Sequence, residues 1–153
     1  MARMYKNMEI FQLSYSLCLD IHNMLNSFPE KEKDNIISQM RRAATSIPLN
    51  IAEGSVKKSN REFLNFLGYS YGSSKEIEVL LMMSKDLKYA RNCKNSFGIL
   101  KIFSDFHDIS KKDFDNLFEK LDRLMAKLFG FMENIENRFE NKKKFFTKYR
   151  EMR

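Results

Sequence analysis

Residues 39–55 read QMRRAATSIPLNIAEGS. With Ile36 just upstream, the apolar positions Ile36, Met40, Ala43, Ile47 and Ile51 step by 4, 3, 4 and 4, which is one face of an α-helix. Pro48 stands in the middle of that face's run. A proline in a helix interior removes one backbone bond and clashes with the preceding turn, at a cost of about 3 kcal/mol or more. The apolar period nevertheless holds on both sides of it. It predicts a single helix over about 30–54, with Pro29 and Glu30 at its start and Gly54 as its stop. We expect Pro48 to bend this helix, and Thr45 or Ser46 to satisfy a carbonyl released at the bend.

The same period recurs on either side. Ile10, Leu17, Ile21, Met24 and Phe28, flanked by Phe11, Cys18 and Leu25, predict a first helix over about 5–27. Ser59 followed by Glu62 is a capping box and opens a third helix over about 60–89, carried by Phe63, Leu67, Tyr71, Ser74, Ile77 and Leu81. Gly68 and Gly72, with Ser73 and Ser74 beside them, are expected to let a neighbouring backbone approach. A fourth helix starts near Ser110 and keeps its stripe through Phe114, Leu117, Leu121, Leu124, Leu128, Met132, Ile135 and Phe139. Residues 90–109 carry an apolar centre that suggests a short extra helix. The expected fold is all-α: one domain over 1–153, an antiparallel up-down-up-down four-helix bundle with a short helical insertion at about 90–109.

Composition agrees. The chain has 153 residues, 43% hydrophobic and 31% charged, with only 5 Gly and 2 Pro, too few breakers for a many-turned β fold. No run approaches the roughly 18 apolar residues of a membrane span, and MARMYKNMEIF has no signal-peptide core. We therefore expect a cytoplasmic protein with no membrane partner. The net charge is +7, and residues 138–153 hold seven basic against two acidic groups, so most of the excess belongs to a basic tail.

Little in the sequence points to catalysis. His22 and His107 belong to no metal-binding spacing, and Cys18 and Cys93 are too few for a disulfide framework. GYSYGSSK (68–75) lacks the spacing of a phosphate loop and falls inside a helix. No cofactor, metal or catalytic residue is implied, and we expect no enzyme. More informative is the polar side of the second helix. Gln39, Arg42, Ser46, Asn50 and Glu53 step by 3, 4, 4 and 3 into one stripe. Ser and Asn are weak helix formers, so their use here suggests that they bond to a neighbouring helix or subunit.

These residues carry a family resemblance. FPEKEKDNIISQMRRAATSIPLNIAEG (28–54) resembles the signature of the bacterial four-helix bundle family of 23S rRNA intervening-sequence proteins. The match runs through Phe28, Pro29, Glu32, Ser38, Gln39, Arg41, Arg42, Ala43, Ala44, Ser46, Ile47, Pro48, Asn50, Ile51, Ala52, Glu53 and Gly54. It continues in 61–89 at Glu62, Phe63, Phe66, Leu67, Gly72, Ser73, Glu76 and Ile77. The resemblance covers about 8–89 well and 110–137 loosely. The 90–109 segment and the basic end beyond 138 depart from it.

The resemblance implies a bundle that assembles as a ring, a homopentamer. Related accessory proteins of diversity-generating retroelements are similar basic pentamers that bind nucleic acid and a reverse transcriptase. On this basis Arg41, Arg42, Lys57, Lys58, Arg61, Lys142, Lys143 and Lys144 are the expected contacts to RNA or DNA phosphates. Phe145, Phe146 and Tyr149 either stack on unpaired bases or extend the core. Gln39, Ser46, Pro48, Asn50, Glu53, Gly54, Gly72 and Ser73 are the expected motif and interface residues. The alternative is a structural scaffold that binds a protein partner such as a reverse transcriptase.

Overall fold

The computed structural model describes residues 4–89 and a helical backbone over 111–151, with side chains placed from Lys112 to Arg138 in the latter. Four α-helices build it: α1 (Glu9–Leu25), α2 (Ser38–Ser55), α3 (Asn60–Asp86) and α4 (Lys111–Glu151). The described residues contain no strand. The short helix expected over 90–109, with Ser110, His107 and Cys93, lies outside the described residues.

The apolar stripes meet where their period places them. Ile10, Leu17 and Ile21 of α1, Met40, Ile47 and Ile51 of α2, Phe63, Leu67, Ile77 and Leu81 of α3 and Phe114, Leu121 and Leu128 of α4 are buried in one core. Burying a side chain of this size contributes about 1.5–3 kcal/mol. Five serines, Ser14, Ser55, Ser70, Ser74 and Ser84, are also fully buried. Each hydroxyl donates to a helix carbonyl, such as Ser74 Oγ to the Ser70 oxygen at 2.9 Å and Ser84 Oγ to the Leu80 oxygen at 2.7 Å. Their burial therefore leaves no donor stranded among the described residues.

Contacts across the helices give their directions. Gly54 lies against Phe63 and Phe66, and Ser46 meets Ser73, so α2 and α3 run antiparallel. Phe63 packs edge-on against Phe131, and Lys85 pairs with Asp115, so α3 and α4 do likewise. Glu9 bonds Lys127 while Asp20 bonds Lys120, which orients α1 against α4. The three relations together set α1 antiparallel to α2. By the same register, residues 139–151 of α4 lie past the first residue of α3. At about 1.5 Å per residue they add roughly 20 Å of helix.

The helix ends depart from the sequence reading in instructive ways. The first helix begins at Glu9, after a separate 3-10 turn over Tyr5–Asn7. The second was expected from residue 30. Instead Glu30–Glu32 form a 3-10 turn, Lys33–Ile37 a widened turn, and regular helix begins at Ser38. Asn35, at φ −115° and ψ −106°, breaks the ladder while Ile36 and Ile37 remain buried. Periodicity registers the burial and is blind to the backbone between. The third helix stops at Asp86, short of residue 89, because Lys88 turns left-handed at φ 58°. That turn carries Tyr89 back onto Phe28, with its hydroxyl donating to Glu32 at 2.7 Å. The capping box at Ser59 and Glu62 forms as the sequence predicts, with Glu62 N donating to Ser59 Oγ and Ser59 N donating to Glu62 Oε2.

Gly54 is not the stop signal expected of it. The helix runs on to Ser55, and no described glycine has positive φ. A Cβ at Gly54 would stand 2.7 Å from Phe66 Cβ and 2.8 Å from Phe63 Cδ2, so close approach of α3 is what requires glycine. At Gly68 and Gly72 the expectation reverses, because both face open space within the chain. The close approach in GYSYGSSK comes from its serines.

Candidate functional site

The outer side of α2 holds the predicted stripe. Its middle is bonded to α3: Ser46 Oγ accepts from Asn50 Nδ2 at 2.9 Å and from Ser73 Oγ at 2.9 Å. Asn50 Nδ2 also donates to the Ser46 carbonyl at 2.9 Å, and Ser70 Oγ donates to the Ile47 carbonyl at 3.1 Å. Ser46 thus bonds across the α2–α3 seam, while Asn50 bonds back to Ser46 within α2. At the stripe's ends, Gln39 donates to Asn35 Oδ1 at 3.2 Å and Glu53 pairs with Lys57 at 3.4 Å. Arg42 is exposed and makes no ion pair or hydrogen bond with a described residue.

Pro48 is buried, and α2 continues through it. The carbonyl it cannot serve is that of Ala44, four residues back. Neither hydroxyl expected to bond that carbonyl does so. Thr45 Oγ1 donates instead to the Arg41 carbonyl at 2.8 Å, and Ser46 Oγ is held by Asn50 and Ser73.

The predicted cations fall into two groups. Arg41 and Arg42 sit on the outer surface of α2, where a shallow groove of about 540 Å³ runs past Arg41, Arg42, Thr45, Ser46, Leu49, Asn50 and Glu53. Lys57, Lys58 and Arg61 lie at the α2–α3 turn, about 22 Å away along α2 at about 1.5 Å per residue. Lys57 is held by Glu53 and lies 4.6 Å over the Phe66 ring. Lys58 stands near the Glu62 carboxylate. Arg61 and Arg138, like Arg41 and Arg42, are exposed and have no ion partner among the described residues. Lys142, Lys143 and Lys144 lie on the α4 backbone past α3, and their side chains, like that of Phe139, fall outside the described ones. The seams of α4 differ, since they neutralise their cations. Lys120 bonds Asp20, Arg123 and Lys127 bond Glu9, and Lys85 bonds Asp115.

The sequence model of the 23S rRNA-intervening sequence proteins matches residues 6–98, more than half of the chain. The chain belongs to that family. The matched span holds α1, α2 and α3, hence the stripe, Pro48 and the serine seam, whereas α4 lies outside it. No curated protein matches the chain. Among solved structures, it is similar to a protein of unknown function from the S23 ribosomal protein family of Bacteroides thetaiotaomicron. Identity is 18%, the TM-score is 0.63, and the match covers 80% of this chain and 97% of the other.

Two features of this 23S rRNA-intervening sequence family member escape sequence reasoning. Cys18 and His22, four apart on α1, both reach Thr45, with His22 Nε2 at 3.3 Å from Thr45 Oγ1. Burial pushes the Cys18 thiol up, against a smaller opposing effect of the Thr45 contact, which keeps the sulfur protonated and a poor nucleophile. The i, i+4 spacing was the available signal, but it is as common in packing as in chemistry. The described residues contain no cluster of three metal-ligating side chains, and none of their helices is long and apolar enough to cross a membrane. The second feature is exposed apolar surface. Leu49 is 61% exposed at the centre of the motif, and Tyr69, Val79, Met82 and Met83 are exposed on α3, with Leu87 just past its end.

Proposed function

We propose that this protein is a non-enzymatic docking bundle of the cytoplasm. It assembles with copies of itself, in the homopentameric ring that the family resemblance suggests, and associates with RNA or DNA through phosphate contacts. The observation that carries this reading is the contrast between surfaces. Lys120, Arg123 and Lys127 of α4 are matched by acids of α1, while Arg41, Arg42, Arg61 and Arg138 stand without ion partners among the described residues, with Leu49 exposed beside the first pair. Unmatched cations favour a polyanion, whose contacts release counterions and weaken steeply with salt. Leu49 lines the same open groove as Arg41 and Arg42, which makes that face of α2 the candidate contact between copies.

Two measurements test the reading. Light scattering behind gel filtration is expected to give a mass several times that of the chain, and Leu49→Arg is expected to reduce it while leaving helicity unchanged. Retention on immobilised structured RNA is expected at about 50 mM salt and lost near about 0.2 M. A monomer that ignores RNA at low salt contradicts both halves.

A second reading rests on the exposed apolar side chains of α3: a scaffold that binds a protein partner, such as a reverse transcriptase. A stable ring without RNA retention at any salt selects it.

A further inference from the structure

The end of the bundle where α3 begins and α4 leaves brings together groups that no single stretch of sequence connects. Asn60 and Phe63 of α3 and Phe131, Asn134, Ile135 and Arg138 of α4 line a cleft of about 300 Å³. Phe131 and Asn134 also line a second cleft of about 370 Å³, facing Met8, Glu9 and Ile10 of the opposite flank. The half-buried Phe131 ring is thus a wall shared by two clefts, in T-shaped contact with Phe63 at a centroid distance of 6.0 Å and an interplanar angle of 77°. Arg138 lines the first cleft, and Arg61 follows its lining residue Asn60 on α3; both are exposed and without ion partners among the described residues. The acid closest in sequence, Glu62, is held in the cap of α3. Beyond Arg138, α4 continues as a helix through Lys142, Lys143 and Lys144.

An aromatic wall, amides beside it, an unmatched guanidinium at the mouth and a second on the adjoining turn of α3 are the ingredients of a single-strand site. Bases stack on the ring, and the flanking backbone lies along the cations. A duplex keeps its bases stacked on one another and has no use for the wall. We propose that single-stranded RNA or DNA docks at this end of the bundle, with a base against Phe131 and phosphates on Arg61 and Arg138. The proposal rests on the nucleic-acid half of the function given above. Charge complementarity selects the occupant, because an apolar peptide in the cleft would leave both arginines unmatched. The α2 pair, Arg41 and Arg42, lies outside this site.

The test is fluorescence anisotropy of the full chain with labelled oligouridine of about 20 nucleotides and a duplex of equal length, over a salt series. Single strands are expected to bind more tightly than duplex. Phe131→Leu is expected to weaken single-strand binding about tenfold with little change in salt slope. The double variant R61A/R138A, which changes only exposed positions, is expected to lower the log–log salt slope by about 1.4, near 0.7 per contact. R41A/R42A is expected to lower the salt slope without changing the preference for single strand over duplex. Loss of binding in R41A/R42A, with R61A/R138A and Phe131→Leu unaffected, overturns this site and leaves the nucleic-acid reading standing. Equal affinity for duplex and single strand overturns the stacking role of Phe131. No binding by the parent protein at about 50 mM salt overturns site and reading together.

Discussion

Replacing Gly54 with alanine adds one methyl group where α2 and α3 nearly touch. The new carbon would lie 2.7 Å from Phe66 Cβ and 2.8 Å from Phe63 Cδ2. Phe66 Cβ is fixed to the α3 backbone and has no rotamer that carries it away, and Phe63 is fully buried. The helices must therefore part by several tenths of an ångström. Parting them stretches Ser70 Oγ to the Ile47 carbonyl, now 3.1 Å, and Ser73 Oγ to Ser46 Oγ, now 2.9 Å. Overpacking of this kind costs about 1–3 kcal/mol, and each weakened hydrogen bond forfeits part of about 1 kcal/mol. Against this, alanine is the better helix former by about 1 kcal/mol. We expect a net loss of about 2 kcal/mol, a fall in Tm of roughly 4–8 °C for a chain of this size. Thermal and urea unfolding followed by circular dichroism measure it. Gly72→Ala is the internal control: its Cβ meets nothing within 4 Å, so only the propensity gain remains and stability is expected to rise by about 1 kcal/mol. If Gly54→Ala proves as stable as the parent, the seam is not packed as described.

Three further outcomes follow from the surface contacts. Ser59→Ala removes the reciprocal cap of α3 and is expected to cost about 1 kcal/mol by urea unfolding. The bonds from the Ser59 side chain and backbone hold the Glu62 carboxyl below the usual range. Its share of the cap is therefore present above the unfolded value, about 4.3, and lost as pH falls through the folded one, so the gap to the parent narrows below about pH 4. Glu9→Gln removes the pairs to Lys127 and Arg123 at an exposed seam, and only a small loss of stability is expected, shrinking further in high salt. Tyr89→Phe deletes the hydroxyl that reaches Glu32. A modest loss of stability is expected, and faster amide exchange over 30–37 is the local sign of it.

The sequence carried the rods and their facing sides, because helical period is a direct record of burial. Ile36, Met40, Ala43, Ile47 and Ile51 are all buried as their spacing requires. The capping box was equally legible, since its chemistry is local to four residues. What the sequence hid depends on neighbours distant in the chain. Gly54 reads as a terminator until Phe66 is placed beside it, and Gly68 and Gly72 read as contacts until nothing is found there. Pro48 reads as a demand on nearby hydroxyls, whereas those hydroxyls serve Arg41, Asn50 and Ser73. The candidate cations were readable as types but not as a constellation. Only the register of α3 against α4 brings Arg138 to one cleft with Asn60, the neighbour of Arg61, and leaves Arg41 and Arg42 about 20 Å from the end of another helix, at about 1.5 Å per residue.

The unequal lengths of the rods have a geometric corollary. A helix of 41 residues against one of 27 gives the subunit a blunt pole and a spiked pole. In the ring proposed above, rotation about a single axis would map every spike to the same side wherever the bundles stand along that axis, giving a smooth rim and a bristled one. An object of that shape tells its front from its back, and whatever grips the bristles meets the whole crown at once.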